Sequence, residues 1–431
     1  MITLFRKVAA LGALLLLTVA PGLSPAASAA GPVDIVIGPG QNDFPLALPY
    51  AVGNAGQARQ VWEVVRRDLE LTGYFRLIDP AATIDQGGLE PGTFDIQDWR
   101  TLRAAAVAKT AVRNDGGNLS AEVWIYDVNS GQKRAAKRFS GKTGQERTLG
   151  HALAREILLA LTGDPGFFGS KIAAVRSRGN KEVVVFDVDG QAVIPITRNG
   201  SINLSPAWSP DGSRLAWTSY KRNNPDVYVK ELGTGRTRVL SANPGINVGA
   251  AFSPDGSKVA LSRSRNGDAD IFVLDARTGK VLRQLTKGGG IDVGPSWSPD
   301  GSQIAFSSER SGGSQIFVMP ATGGPARRIS RQGNFNTDPV WSPDGTRIAF
   351  VGRDPSFDIF VANVADGRVK RITQNMRDNE DPSWSPDSRY LVFSSTRGGR
   401  SDIWLATNDG RHQVQLTQGG GYTQPTWSPR R

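Results

Sequence analysis

Cysteine is absent from the chain, so neither a disulfide nor a thiolate metal site can form. A chain of 431 residues buries enough apolar surface to fold without such cross-links. Histidine is almost as scarce, because His151 and His412 are the only two. We expect His151 to be a helix-start or interdomain contact and His412 to be a surface residue of a fourth strand. The Gly-x-Ser-x-Gly motif of a serine nucleophile elbow is also missing. These absences weaken the case for a serine hydrolase, which needs a nucleophile and a histidine base.

Long apolar runs are missing everywhere except near the start. Arg6 and Lys7 precede an apolar run over residues 8–20, and a tail of Ala and Ser follows. This is the pattern of a cleavable signal peptide, and the run is shorter than the roughly 20 residues of a membrane-spanning helix. We expect residues 1–30 to be removed near Ala29 or Ala30. The mature protein is then expected outside the cytoplasm, without a transmembrane segment.

The net charge of +11 is spread along the chain rather than gathered in blocks. Lys and Arg alternate with Asp and Glu, which argues against a nucleic-acid groove. Two interpretations stay open, a solvated basic surface or a surface that meets an acidic partner. We expect a monomer that does not bind nucleic acid.

A repeat of 43 to 45 residues dominates the second part of the chain. Its anchors are Trp208, Phe252, Trp297, Trp341, Trp384 and Trp427. Ser-Pro-Asp-Gly follows four of the first five anchors, and Ser388 replaces Gly at the fifth. This tetrapeptide favours a type I turn, so the anchor should end one strand and the turn should begin the next.

Three further strand patterns follow each anchor, as in "RLAWTS", "DVYVKE" and "TRVLS". Four short strands in about 44 residues are typical of a propeller blade. The second, third and fourth patterns also occur at residues 171–176, 182–187 and 192–197, without an anchor before them. The missing first strand is "PTWSP" near the C-terminus. The sequence therefore predicts an all-β, six-bladed β-propeller over residues 166–431, closed by its last strand.

Residues 31–165 lose this period and show a mixed α/β pattern. Val61, Val65 and Leu69 follow a helical spacing that should end at Gly73, and the strand "YFRLID" comes next. Three strands read "AAAVAKTAVR", "SAEVWIYDV" and "KRAAKRFSG", and a second helix shares one apolar face. The residues of that face are Leu149, Leu153, Ile157 and Leu161. A smaller α/β domain should thus precede the propeller.

Five features of the chain, taken together, carry a family resemblance. They are the leader, "VDIVIGPG", "DLELTGYFRLID", the junction "GHALAREILLALTGDPGFFGSKIAAV" and the "WSPDG" repeat. In these features the chain resembles the TolB family of the Tol-Pal envelope system. The resemblance covers the whole chain, and the junction is its most specific part. It implies a non-catalytic periplasmic adaptor that holds the lipoprotein Pal on its propeller and TolA through its mature N-terminal segment. The implied role is outer-membrane integrity and constriction during cell division. Other envelope proteins or colicins can also bind members of this family.

The resemblance implies a Pal site at the propeller mouth, in the loops that enter the first strands. The expected contacts are Asn203, Asn247, Asp292, Asn336, Glu380 and Thr423. The alternative is that these polar residues cap turns, as Asn and Asp often do. Members of the family often carry His in the second of these loops, where this chain has Ile246 and Asn247.

The implied TolA contact maps to residues 31–41, which contain two Gly-Pro pairs. Its central residues are Val33, Asp34, Ile35, Val36 and Ile37. Gly and Pro spoil regular strand pairing, so the segment could be docked or released. A plain edge strand explains the same residues.

Two catalytic alternatives compete with the adaptor. One is a propeller-bearing peptidase, which would need the missing elbow motif and an added domain. The other is a lactonase or ligand-binding propeller with channel carboxylates such as Asp292, Asp338 and Asp381 around a metal. "FSGKTG" lacks the first Gly of a phosphate loop, since Ala136 stands there. We expect no enzyme, no cofactor and no metal.

Overall fold

The computed structural model describes residues 43–82, 87–265 and 268–430. The predicted leader and the predicted TolA segment, including Val33 to Ile37, lie outside these ranges. Within the described ranges, no helix combines the length and the apolar character that a membrane crossing requires.

The α/β part is one mixed sheet with helices. Its elements are β1 Phe44–Ala47, β2 Val52–Gly53, α1 Ala55–Thr72, β3 Phe75–Ile78, a 3-10 turn Pro80–Ala82, α2 Ile96–Thr101, β4 Ala106–Asp115, β5 Asn118–Asp127, β6 Lys133–Lys142 and α3 Glu146–Thr162. The strand order is β3-β1-β4-β5-β6, and β2 pairs with β4. β1 pairs in parallel with β3 and β4, and β2 pairs in parallel with β4. β4, β5 and β6 form the predicted antiparallel meander.

Helices α1 and α3 bury the faces that the sequence predicted. Val61, Val65 and Leu69 of α1 are fully buried, and the four predicted residues of α3 join them in one core. Asn54 caps the start of α1, where its side chain accepts from the Gln57 N–H, and Gly73 caps the end with φ of 65°. The predicted end of this helix is therefore confirmed, and glycine is required there because the backbone is left-handed.

The propeller consists of six four-stranded antiparallel sheets. Blade 1 combines β7 Lys171–Arg178, β8 Asn180–Asp187 and β9 Ile194–Pro195 with β30 Tyr422–Trp427. Blade 2 is β10 Asn203–Trp208, β11 Arg214–Ser219, β12 Asp226–Glu231 and β13 Thr237–Ser241. Blade 3 is β14 Asn247–Phe252, β15 Lys258–Arg265, β16 Asp268–Asp275 and β17 Val281–Gln284.

The remaining blades follow the same order. Blade 4 is β18 Asp292–Trp297, β19 Gln303–Ser308, β20 Gln315–Pro320 and β21 Arg327–Arg328. Blade 5 is β22 Asn336–Trp341, β23 Arg347–Arg353, β24 Phe357–Asn363 and β25 Val369–Arg371. Blade 6 is β26 Asn379–Trp384, β27 Tyr390–Ser395, β28 Asp402–Thr407 and β29 Gln413–Gln415. The predicted fold class is confirmed.

The ring closes through β30, which pairs antiparallel with β7. In blade 2, Ser209 Oγ accepts the N–H of Arg214, the first residue of the next strand, at 2.9 Å. In blade 1, Ser428 Oγ accepts the N–H of Lys171 at 2.8 Å, although no turn connects the two. The last strand therefore reproduces the hydrogen bonds of a covalent hairpin.

Side-chain hydrogen bonds within each Ser-Pro-Asp-Gly turn stabilise the turn. In the first of them, Asp211 accepts from Ser209 and from Ser213, and these bonds lower the pKa of the Asp211 carboxyl to about 2. The Gly212 N–H donates to the Ser209 carbonyl, which closes the turn. Ser388 adopts the same left-handed backbone as the glycine it replaces, and its hydroxyl accepts from the Asp344 N–H of the neighbouring blade.

One hydrophobic cluster joins the α/β part to the propeller. Phe167, which precedes β7, packs edge-on against Tyr390 and Trp427. The Tyr390 hydroxyl donates to the Thr72 carbonyl at the end of α1. Arg389 pairs with Asp164 at 2.6 Å. The α/β part therefore packs on blades 1 and 6, where the ring closes; the domain boundary near residue 165 stays a prediction.

Candidate partner-binding mouth and channel of the propeller

The residues predicted to ring the mouth do not occupy one equivalent position. Asn203, Asn247, Asp292 and Asn336 are the first residues of their strands, and all four are buried. Glu380 and Thr423 are the second residues of their strands and are half-buried. The residues equivalent to the first four are Asn379 and Tyr422, which are also buried.

The buried asparagines fasten neighbouring blades together. Asn379 Nδ2 donates to Asp358 Oδ1 at 3.0 Å, and Asp358 begins the third strand pattern of blade 5. Asn203 makes the same contact with Glu182, and Asn336 makes it with Gln315. Each of these acceptors also accepts a hydrogen bond from a hydroxyl two residues after the fourth strand of its own blade. Hydrogen bonds to turns and to the neighbouring blade therefore explain why these polar side chains are buried.

Apolar side chains, rather than these asparagines, are exposed at the mouth. Ile202, Ile291 and Phe335 each stand immediately before a first strand and are 46%, 43% and 38% exposed. Met376, in the loop before β26, is 38% exposed. Exposed apolar side chains among polar ones can supply the central contacts of a protein-binding surface. The sequence shows these residues one position before the predicted ones, but periodicity alone does not reveal their exposure.

A second ring faces the channel, at the third residue of every first strand. Its members are Ser205, Gly249, Gly294, Asp338, Asp381 and Gln424, and all have left-handed backbones with φ between 49° and 65°. Each first strand shifts register at this point, which is a β-bulge. The residues that follow them line a single cavity of about 440 Å³ with contributions from all six blades.

Part of this ring is linked by hydrogen bonds from blade to blade. The Ser205 N–H donates to Gln424 Oε1 at 2.9 Å, and the Gln424 N–H donates to Asp381 Oδ2 at 3.1 Å. Ser394 donates to the same carboxylate oxygen of Asp381 at 2.8 Å. The αL residue of one blade thus fixes the backbone of the next.

The channel is acidic on the side of blades 5 and 6. Asp338 is open to the channel, and the surrounding walls displace much of its bulk water. This desolvation, together with the carboxylates of Asp381 and Glu380, raises the pKa of Asp338 to about 7. Burial and the Asp381 carboxylate raise the pKa of Glu380 as well. These three carboxyls thus favour a partner that brings positive charge or hydrogen-bond donors.

Asp292 does not belong to this acidic group, contrary to the metal-site alternative. It is buried at the start of β18, where its carboxylate pairs with Arg310 at 2.9 Å. Within the described ranges, the one set of three His or acidic residues with ligand atoms within 4.8 Å of one another is His151, Asp187 and Asp189. Arg147 donates to both of these aspartates, and Lys171 pairs with Asp187.

Both histidines are engaged where the α/β part meets the propeller. His151 Nδ1 lies 2.6 Å from Asp68 Oδ2 within the α/β part, and His151 Nε2 lies 3.7 Å from Asp187 Oδ2 of blade 1, which confirms the interdomain contact. Burial opposes protonation of this imidazole, but Asp68 and Asp187 outweigh it and raise the pKa of His151 to about 10. His412 was predicted to be a surface residue of a fourth strand, and this was wrong. It lies just before β29, half-buried against Gly73, because α1 ends there.

Two family models match the chain. One is described as the TolB beta propeller domain and covers residues 159–431, which is more than half of the chain. The other is described as the TolB amino-terminal domain and covers residues 33–134. The chain belongs to the TolB family.

Relatives and a solved structure agree with this assignment. The Tol-Pal system protein TolB of Geobacter sulfurreducens is 39% identical over 163 residues, which is 38% of each chain. The protein of the same name from Cereibacter sphaeroides is 35% identical over 247 residues, 55% of each chain. The matches to these and the other first relatives span between about a third and about a half of the relatives' length. The crystal structure of TolB from Acinetobacter baumannii superposes with a TM-score of 0.82 at 26% identity and covers 91% of this chain and 98% of that one.

Within this TolB-family chain, sequence reasoning named Asp338 and Asp381 as channel carboxylates but missed the six-membered ring to which they belong. The signal that could have found it is a Gly, Asp or other polar residue followed by Pro or Ala, three positions before each anchor. Gly and Asp tolerate φ above zero better than other residues do. The WSPDG turns are the stronger signal in the sequence, and they lie at the opposite end of the same strands.

Proposed function

We propose that this protein is a non-catalytic periplasmic adaptor of the Tol-Pal system, which links Pal at the outer membrane with TolA at the inner membrane. The role includes outer-membrane integrity and constriction during cell division. Membership of the TolB family supports the Tol-Pal assignment. The observation that carries the proposal is the propeller mouth, where exposed apolar side chains surround an acidic channel.

The Pal contact is assigned to this mouth. Ile202, Ile291, Phe335 and Met376 supply apolar area for a central contact, and Glu380 and Thr423 supply polar groups beside them. Asn203, Asn247, Asp292 and Asn336 act indirectly in this proposal, because they hold the loops that present the apolar residues. An inserted loop of Pal reaches the Asp338 and Asp381 carboxyls through the mouth.

The TolA contact is assigned to residues 31–41, centred on Val33, Asp34, Ile35, Val36 and Ile37. The two Gly-Pro pairs of this segment favour a chain that exchanges between a docked and a captured state. If one partner binds the docked state and the other captures the released state, each shifts the population that the other sees.

The test uses the mature protein with purified soluble domains of Pal and TolA, measured by calorimetry. Replacing Ile202 and Ile291 by Asp should weaken Pal binding at least tenfold, because both charges would be desolvated in the contact. Removal of residues 31–40 should abolish TolA binding and leave Pal binding intact or tighter.

A matched control replaces Val281 and Leu282 by Asp, since both are exposed apolar residues of the outer strand of blade 3. This control should bind Pal like the parent. Equal loss in both double variants, loss of both partners after the N-terminal deletion, or turnover of peptide substrates would each overturn the adaptor.

A further inference from the structure

In blade 4, an arginine of the blade itself packs against two aromatic rings. Arg310 follows β19, and its guanidinium carbon lies 5.2 Å from the Phe306 ring centre and 5.3 Å from that of Phe317. Its Nη2 donates to Asp292 Oδ2 at 2.9 Å, and its Nε donates to Ser308 Oγ at 2.7 Å. The guanidinium is therefore held by stacking and by two hydrogen bonds.

Blade 6 repeats this arrangement with equivalent residues. The Arg397 guanidinium lies 5.4 Å from the Phe393 ring centre and 4.3 Å from that of Trp404. Its Nη2 donates to Asn379 Oδ1 at 2.8 Å, and its Nε donates to Ser395 Oγ at 2.9 Å. The site accepts the same cation whether the first strand begins with Asp or with Asn.

Blade 5 has the aromatic pair but no arginine at this position. Phe350 and Phe360 stack at 5.7 Å with an interplanar angle of 18°. Gly352 stands where the other blades have Ser308 and Ser395, and Asp354 stands where they have Arg310 and Arg397. The Asp354 side chain is 79% exposed, so it does not fill the space inside.

A cavity of about 370 Å³ remains at this place. Its walls include both aromatic rings, Asn336, Gly352 and Asp354. A Cβ added at Gly352 would lie 2.9 Å from Asn336 Oδ1 and 2.8 Å from the Phe360 ring. The Asn336 oxygen that corresponds to the acceptor in blade 6 thus faces the floor of the cavity.

The charges around the cavity leave one carboxylate at its entrance. Arg353 lies over the Phe357 ring at 5.5 Å, outside the stacked pair. Arg371 donates to Asp358 and to the Asp354 carbonyl, and its guanidinium lies 5.7 Å from the Phe360 ring centre. Its Nη1 also lies 3.8 Å from Asp354 Oδ2, a long ion pair at an exposed carboxylate that leaves Asp354 able to meet a second cation. Arg331, which is exposed, also lines the cavity and lies close to Gly367. Asp354 is the acidic group among the lining residues.

We propose that the blade 5 cavity is a binding site for the guanidinium group of an arginine side chain supplied by a partner protein. The aromatic pair and the Asn336 oxygen are the same groups that hold Arg310 and Arg397 in the neighbouring blades. Asp354 provides the charge that meets the incoming arginine at the entrance. The site opens on the loops before β22 and after β23, and it does not depend on the identity of the mouth partner.

The test measures binding of N-acetyl-arginine amide to the full chain by saturation-transfer difference NMR. We expect saturable binding that is at least tenfold weaker for N-acetyl-citrulline amide, which has the same shape without the charge, and for N-acetyl-lysine amide, which cannot form the planar contacts. The D354R variant supplies an internal guanidinium and should weaken binding of the arginine probe at least tenfold.

The matched control is D115R, which makes the same charge change on an exposed hairpin of the α/β sheet and should bind like the parent. Equal binding of the citrulline or lysine probe, absence of saturation, or full binding by D354R would each overturn the site. Because only small probes are used, these outcomes say nothing about Pal or TolA, and failure of the adaptor role would leave the site intact.

Discussion

Asp292 is the first residue of the first strand of blade 4. Four other blades have Asn at the equivalent position. Asp292 faces Asp270, and burial together with the Asp292 carboxylate raises the pKa of Asp270. The Oδ1 atom of Asp292 is buried without a hydrogen bond. Blade 6 shows the alternative, because Asn379 accepts from Arg397 and donates to Asp358 at the same time.

We predict that D292N stabilises the protein by about 1 kcal/mol at pH 7. The amide would keep the bond from Arg310 and would donate to Asp270, which removes a carboxylate pair and satisfies a buried atom. The free energy of unfolding in urea checks this. The reverse change, N379D, should destabilise blade 6, and a stabilising N379D or a destabilising D292N would contradict the explanation.

For single residues, the sequence predicted where polar side chains precede each anchor better than it predicted which side chains are exposed. The polar residues before each anchor were identified, but Glu380 and Thr423 were chosen one position away from Asn379 and Tyr422. The spacing from the anchor is five residues in every blade, and only a strand register distinguishes the fifth from the fourth position. The functional contrast between buried Asn203 and exposed Ile202 depends on neighbouring blades, which a single sequence does not show.

At the scale of elements, β30 is the strand that the rest of the ring depends on. Trp427 is buried against Phe167, and its Nε1 donates to Ser170 Oγ at 2.8 Å. Its backbone N–H donates to Ser383 Oγ of blade 6 at 3.0 Å. The strand therefore joins three parts of the molecule.

We predict that removal of residues 422–431 destabilises the whole ring by more than the about 3 to 5 kcal/mol of one lost buried aromatic. The reason is that β7 and blade 6 both lose their partner, which exceeds the fraying of an ordinary tail. Calorimetric melting checks this, with deletion of residues 430–431 as the control. A truncated protein that melts like its parent would mean that the ring does not depend on β30.

Elements with strong periodicity were predicted closely, and short ones were not. β11 and β12 have the bounds that the patterns "RLAWTS" and "DVYVKE" predicted. Some outer strands are shorter than predicted, as in β9, which spans Ile194–Pro195 where residues 192–197 were expected, whereas β13 has the predicted bounds. β1, β2 and α2 were missed, because two to six residues carry too little periodicity to identify an element.

At the scale of the whole molecule, a buried charge network ties α1 and α3 to blade 1. Asp68, His151, Arg147, Asp187 and Asp189 form this network, and its partners come from both parts of the chain. A buried ion pair that loses one partner leaves the other charge uncompensated. The network therefore makes the orientation of the two parts sensitive to single substitutions.

We predict that H151Q costs about 3 to 5 kcal/mol at pH 7. The pKa of His151 is raised from 6.5 to about 10 in the folded state. Its contribution is therefore complete below about pH 6.5 and is lost as the pH rises through about 10. Melting temperatures between pH 6.5 and 10.5 should show the parent and the variant converging.

H412Q is the control for this prediction, because burial lowers the pKa of His412 and its linkage lies on the acid side. The difference between the parent and H412Q should stay constant from pH 7 to 10. A difference for H151Q that is also constant would mean that His151 is neutral in the folded protein.

The pairing of β30 with β7 also sets an order of events for a chain that emerges from its N-terminus. Lys171 and Ser428 are 257 residues apart, so blade 1 waits with an unpaired inner edge while five other blades are made. Contacts between distant residues form slowly, and an open strand edge invites association with other chains. Pairing of the last strand with β7, rather than the formation of any single blade, therefore determines how soon the chain is protected from aggregation.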